Sequence, residues 1–135
     1  PILYFWMVAG AYKLFGISPF IGRLPAALSA VACSLIIFFG CRPILKAQTA
    51  ALAALIFLAN PLVSIIGHVC LTDMTLCALI CGSILFLFKG IKYSKTKDFL
   101  AAYTFLALAF LCKGPIAIVI AGLGLLPYLI SICRT

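Results

Sequence analysis

The chain alternates long apolar runs with short polar punctuation, and five runs stand out: 24–40, 47–66, 74–88, 99–112 and 115–133, each bounded by charge, Gly or Pro. Crossing the ~30 Å hydrocarbon layer of a bilayer takes about 20 helical residues at 1.5 Å each. The second and fifth runs are long enough for a transmembrane helix and the first nearly so. The third and fourth reach only about 23 and 21 Å, so they must extend into their flanks or meet a thinned bilayer. Pro61, which follows Asn60, and Pro127 fall inside runs. A membrane helix tolerates such a kink when neighbours satisfy the freed backbone groups.

The segment before these runs differs. Too few apolar residues precede Lys13 for a crossing, and Tyr4, Phe5, Trp6, Tyr12 and Phe15 supply aromatic anchors of the headgroup level. The pattern predicts an interfacial helix that ends at Gly16 and the Ser18-Pro19 turn, a unit covering 1–19. The same residues also fit the tail of a span that starts before Pro1, because they are apolar on nearly every face. No internal repeat, low-complexity tract or long linker interrupts the chain. The expected fold class is therefore all-α integral membrane, a single domain over 1–135 with about five transmembrane helices and one N-terminal interfacial helix. The chain opens on Pro1 rather than Met, with first residues that resemble the middle of an element, and shows no signal-peptide pattern, so it is expected to be a fragment of a longer protein.

Composition narrows the class. Of 135 residues, 67% are apolar and 9% charged, against about 45–50% and about 25% in soluble domains. That excludes a disordered chain and leaves too little charge to coat a soluble enzyme. A formal net charge of +8 would suggest nucleic acid in a soluble domain. Here the basic residues lie between apolar runs, where they set topology, so membrane lipids and no nucleic acid are the expected partners. If the runs alternate, Arg42, Lys46, Lys89, Lys92, Lys95, Lys97 and Arg134 share one side, and Lys13, Arg23 and Lys113 the other. The richer side is predicted to be cytoplasmic. The Lys89 to Lys97 loop then faces the cytoplasm, and His68, Asp73 and Lys113 face away from it.

Candidate chemistry is sparse. The cysteines lie mostly in or at the ends of apolar runs, with no Cys-x-x-Cys pair and a single His in the chain. They read as small packing residues, and neither a metal nor a cofactor is expected. Cys70 and Cys112 are the one pair placed to meet. The informative cluster is Gly67-His68-Val69-Cys70-Leu71-Thr72-Asp73 on one turn and Cys112-Lys113-Gly114-Pro115 on the next. Each member has a local structural reading. Thr72 and Asp73 suit a helix N-terminus as hydroxyl cap and carboxylate. Lys113 suits a helix C-terminus, with Gly114 as C-cap and Pro115 opening the next helix. Against this, an acid and a base from different spans, on one side and at the ends of short helices, form a candidate functional site. His68 is weaker, because a loop His is more often a polar partner than a catalyst. Lys13 and Arg23 suit lipid phosphates at the headgroup level.

The order of the motifs Pro1-Ile2-Leu3-Tyr4-Phe5-Trp6, Lys13-Leu14-Phe15-Gly16, Arg23-Leu24-Pro25-Ala26-Ala27-Leu28, Leu71-Thr72-Asp73-Met74 and Lys113-Gly114-Pro115 adds a resemblance. Over essentially its whole length the chain resembles membrane glycosyltransferases that use polyprenyl-phosphate sugars. Its pattern is similar to the bacterial aminoarabinose (lipid A) transferases and the dolichyl-phosphate-mannose protein mannosyltransferases. The resemblance implies a C-type glycosyltransferase (GT-C-like) membrane fold in the bacterial inner membrane, with its site at the extracytoplasmic face. It implies a polyprenyl-phosphate-linked sugar donor and a lipid A, glycan or protein acceptor. It places Lys113 on the donor phosphate, makes Asp73 a site carboxylate, and adds His68 and Tyr4 as substrate-binding residues.

The resemblance also places the principal catalytic acid, and a Lys before the first Pro, upstream of Pro1, so the fragment alone is expected to be inactive. His68 stands where the family often carries Arg, and Thr75 where Pro is common. A reading from another class is a fragment of a polytopic transporter or lipid flippase with Asp73 and Lys113 as a relay. A transporter should repeat its broken helices in two matching halves, which the Pro61 and Pro127 interruptions do not do. A purely structural membrane subunit is the third reading.

Overall fold

A computed structural model describes residues 2–69 and 72–133, with the backbone alone for 131–133. They form seven helices: α1 (Ile2–Phe15), α2 (Pro19–Cys41), α3 (Ala47–Ala59), α4 (Pro61–His68), α5 (Asp73–Tyr93), α6 (Thr96–Lys113) and α7 (Ile116–Cys133). There is no strand among the described residues.

The helices overrun the apolar runs at several ends. α2 begins at Pro19, not at 24, because extended Ser18 precedes a proline whose missing N–H and fixed φ suit the first helical turn. α5 continues past 88 through Lys89 and Lys92 to Tyr93, where Ser94 turns left-handed at φ 51° and stops it. α6 starts at Thr96 rather than 99. The short runs are thus lengthened by their flanks. At 1.5 Å per residue α2 and α5 are about 34 and 31 Å long, enough to cross a bilayer.

The run 47–66 is not one kinked helix. It is two helices bent by 59° at Asn60. A residue before proline is pushed out of the α region, and Asn60 is extended at φ −65°, ψ 123°. Its Oδ1 accepts from Leu62 N at 2.9 Å, capping α4. Pro127, by contrast, lies within a continuous α7.

Contacts between helices fix their directions. Ser29 bonds Thr75 across α2 and α5, and Lys89 Nζ donates to Phe39 O at 3.4 Å further along, so these helices are parallel. α6 runs back along α5, pairing Lys113 with Asp73 and Phe105 with Gly82. α7 runs with α5, setting Gly124 against Ile84 and Tyr128 against Phe88. Gly67 near the end of α4 lies over Ala30 in the first half of α2, so the α3–α4 pair returns against α2. Arg42, Lys46 and the lysines 89–97 therefore collect at one end of the bundle. Arg23, His68, Asp73 and Lys113 collect at the other.

Packing is inverted relative to a water-soluble domain. Ala26, Cys33, Ala50, Ala102, Ala109 and Ala117 are fully buried, while Trp6, Phe20, Ile56 and Leu123 are exposed. Lipid tails are as apolar as Leu, so helices associate through small residues that permit close backbone approach rather than by hiding large ones. At Gly82 an added Cβ would stand 2.9 Å from the Phe105 ring, which stacks on Phe86 at 5.5 Å. A buried hydroxyl pair, Ser29 Oγ and Thr75 Oγ1 at 2.9 Å, ties α2 to α5. Ser29 Oγ also lies 2.7 Å from the Pro25 carbonyl, the acceptor of its hydroxyl. These features describe an integral membrane protein.

Candidate functional site

The site is built where α5 begins and α6 ends. Asp73 is in the first turn of α5 and Lys113 is the last residue of α6, so each charge faces the helix end that favours its sign. The two side chains form an ion pair, Lys113 Nζ to Asp73 Oδ1, about two-fifths exposed on both partners (43% and 42%). Gly114 ends α6 with φ 76° and ψ −150°, and its N–H donates to Phe110 O at 2.7 Å. A side chain would be strained there, which explains why the turn after Lys113 carries glycine. Pro115 O accepts from Ile118 N at 3.1 Å and so starts α7.

The expected hydroxyl cap of α5 is not made. Thr72 is already α-helical in its backbone (φ −71°, ψ −12°) and forms no side-chain cap. An N-cap oxygen reaches the following N–H groups from a β-region backbone, which Thr72 lacks. Its carbonyl instead accepts from Leu76 N at 3.0 Å and from Cys112 Sγ at 3.8 Å. Cys112 is fully buried with a free thiol. Cys70, the one cysteine that sequence places within reach of Cys112, lies outside the described residues, as does Arg134 of the basic side.

Tyr4 is part of the buried core. It is 2% exposed and packs in the core with Leu76 and Ile80 of α5, Ala109 and Cys112 of α6, and Ala117 and Ala121 of α7. α1 is thereby fixed against the end of the bundle that carries Asp73 and Lys113. Its Phe5 and Trp6 remain exposed, at 62% and 70%. His68 belongs to a different neighbourhood. Its Nδ1 is 2.6 Å from Ser64 O, and it lines a cavity with Arg23 between α4 and α2. Of the residues that sequence points to, the structure brings Asp73, Lys113 and Tyr4 to one place and sets His68 beside Arg23. The Ser29–Thr75 pair escapes sequence reasoning; its signal is two small hydroxyl residues in otherwise apolar helices.

Chemically the pair offers a cation on a solvent-reachable turn, ready to exchange its carboxylate partner for another anion, and a carboxylate that such an exchange releases. An apolar cavity of about 380 Å³, with Leu35, Phe39 and Lys89 in its lining, lies at the opposite end of the bundle.

The family described as dolichyl-phosphate-mannose-protein mannosyltransferase matches residues 1–134. An uncharacterised protein of Aquifex aeolicus (strain VF5) is 32% identical over 120 residues, covering 89% of this chain and 27% of the relative. The chain thus spans about a quarter of the length of that relative. No solved structure matches significantly. The match gives no support to the transporter or flippase reading.

Proposed function

The chain belongs to the dolichyl-phosphate-mannose-protein mannosyltransferase family, and from that premise we propose that it is part of a membrane enzyme that moves a sugar from a polyprenyl phosphate to an acceptor at the extracytoplasmic face. The observation that carries the reading is the Asp73–Lys113 pair, held at the bundle end opposite the lysines 89–97. Donor sugars carried on lipid make sense there, because nucleotide sugars are confined to the cytoplasm.

The reaction breaks the bond between the sugar's anomeric carbon and the phosphate oxygen, and forms one to an acceptor oxygen. The lipid phosphate leaves with growing negative charge, and the acceptor, where it is a hydroxyl, loses a proton to a base. Lys113 holds the leaving phosphate as a point charge, strengthening its hold as that charge grows. Asp73, freed when Lys113 turns to the phosphate, is the site carboxylate that orients the acceptor or takes up its proton. Tyr4 supports both by keeping α1 docked under them. The acceptor is a lipid such as lipid A, a glycan or a protein.

The test is donor choice. The full-length protein in sealed vesicles is expected to transfer sugar from a polyprenyl-phosphate sugar and not from a nucleotide sugar. Use of the nucleotide sugar, or no transfer from any lipid-linked donor, would overturn the reading. Orientation is checked separately by thiol labelling of intact cells. An impermeant reagent is expected to label a Thr72→Cys variant and to leave Ser94→Cys unlabelled; the reverse pattern would invert the topology and remove the site from the extracytoplasmic side.

A further inference from the structure

A groove between α2 and α4 lies apart from the Asp73–Lys113 pair. Its outer part is a cavity of about 180 Å³ with Phe20, Arg23, Ala27 and His68 in its lining. The adjoining inner part, about 190 Å³, shares Ala27 and His68 and continues past Ala30 to Leu58 and Val63. The break at Asn60 makes this space. α4 leaves the line of α3 by 59°, and in its last turn Gly67 stands against Ala30 of α2. From Phe20 to Ala30 the groove follows α2 for about 15 Å, roughly the thickness of one hydrocarbon leaflet.

Charge is arranged along it in one direction. Arg23 and His68 stand at the outer part, the floor beyond them is Ala, Leu and Val, and no acidic residue lines either part. The Ser64 carbonyl can only accept, so His68 donates its Nδ1 hydrogen there, and the donors that face an anion in the groove are those of Arg23. A guanidinium offers paired donors that match two oxygens of one phosphate. The shape and polarity fit an amphiphile with a phosphate head and a hydrocarbon tail, and the one permanent cation matches the single charge of a phosphodiester.

We infer that this groove holds an anionic phospholipid of the surrounding bilayer, its phosphate at Arg23 with His68 beside it, and the start of one acyl chain against Ala27, Ala30, Leu58 and Val63. The site goes beyond the glycosyl-transfer reading and does not depend on it. A bound lipid there fills the gap left by the helix break and holds α4 to α2 while the carboxylate and amine of the transfer site act elsewhere.

Photocrosslinking tests it in the full-length protein. A Phe20→p-benzoylphenylalanine variant is reconstituted in vesicles of equal parts phosphatidylcholine and phosphatidylglycerol, and the adduct is identified by mass. The phosphatidylglycerol adduct is expected to exceed the phosphatidylcholine adduct by about five-fold or more, and to fall to parity when Arg23→Gln and His68→Gln are added. Lys113→Ala should leave the ratio unchanged. Equal adducts in the parent overturn the proposal, as does a ratio that survives loss of both Arg23 and His68. When polyprenyl phosphate is added at matching concentration, its adduct replacing phosphatidylglycerol would reassign the groove to the donor. An adduct to another part of the protein would show the groove to be covered by the chain itself.

Discussion

Replacing Lys113 with Ala in the full-length protein is expected to lower sugar transfer about ten-fold or more while membrane insertion and folding stay intact, a loss of ~1.4 kcal/mol or more of transition-state stabilisation. The separation of the two effects follows from exposure. Both partners of the Asp73–Lys113 pair are some two-fifths exposed, and ion pairs in contact with solvent contribute about 0–1 kcal/mol to stability. Losing the cation therefore costs the fold little. Losing it opposite a leaving phosphate removes an interaction that is stronger in the transition state than with bound donor, so the loss falls chiefly on kcat. Lys113→Arg is expected to retain part of the rate, since the charge persists but the compact ammonium becomes a planar fork. The exchanged pair, Asp73→Lys with Lys113→Asp, separates the two roles. It restores an ion pair across α5 and α6, but sets a carboxylate where the phosphate should lie. If Lys113 merely ties helix ends, the exchange recovers activity; if it holds the phosphate, activity stays low. Unchanged rates in Lys113→Ala would leave the residue as a helix cap. The measurement is initial rates across donor concentration, with insertion checked in parallel.

The largest effect on stability is expected at Tyr4. Tyr4→Ala should destabilise the protein by about 3 kcal/mol, in the range seen when a large buried aromatic is truncated. It is read as a lowered unfolding temperature in nanodiscs. The ring belongs to the buried cluster that also holds Leu76, Ile80, Ala109, Cys112, Ala117 and Ala121, so its removal leaves a cavity in that cluster. Tyr4→Phe, which keeps the ring but loses the buried hydroxyl, should fall between Tyr4→Ala and the parent. Trp6→Ala is the control, because Trp6 is 70% exposed and fills no internal space. If instead Tyr4→Ala melted like the parent while losing activity, Tyr4 would be a substrate contact rather than a packing residue.

Much of this architecture is legible in the sequence. The apolar runs locate the helices α2 to α7 because a long apolar stretch in lipid has to satisfy its backbone internally. The Lys89–Lys97 cluster and the opposed positions of Asp73 and Lys113 mark the two ends of the bundle. Less legible are the helix ends. Lys89 and Lys92 have the composition of a loop, yet both continue α5, since long cationic side chains extend away from the apolar layer without breaking a helix. Lys89 in addition donates to Phe39 O and lies 5.5 Å from the Phe86 ring centroid. Asn60-Pro61 suits a tolerated kink by sequence and is a break in the fold, because the asparagine side chain caps α4 and stabilises the interruption.

By itself the sequence determined that the chain is helical and membrane-embedded, which end of the bundle is rich in lysine, and which few ionisable groups stand at the other. Tertiary structure alone decided that Asp73 and Lys113, 40 residues apart, share one ion pair, that Tyr4 is inside while Trp6 is outside, and that His68 joins Arg23 over a groove. The reason lies in the solvent. In water, hydrophobicity separates the inner face of a helix from the outer and writes it into the sequence as a period. In lipid both faces are apolar, so the contact face is selected by size and shape, with Ala, Gly, Ser and Cys admitting a neighbour's backbone. That selection becomes visible only when the helices are set side by side.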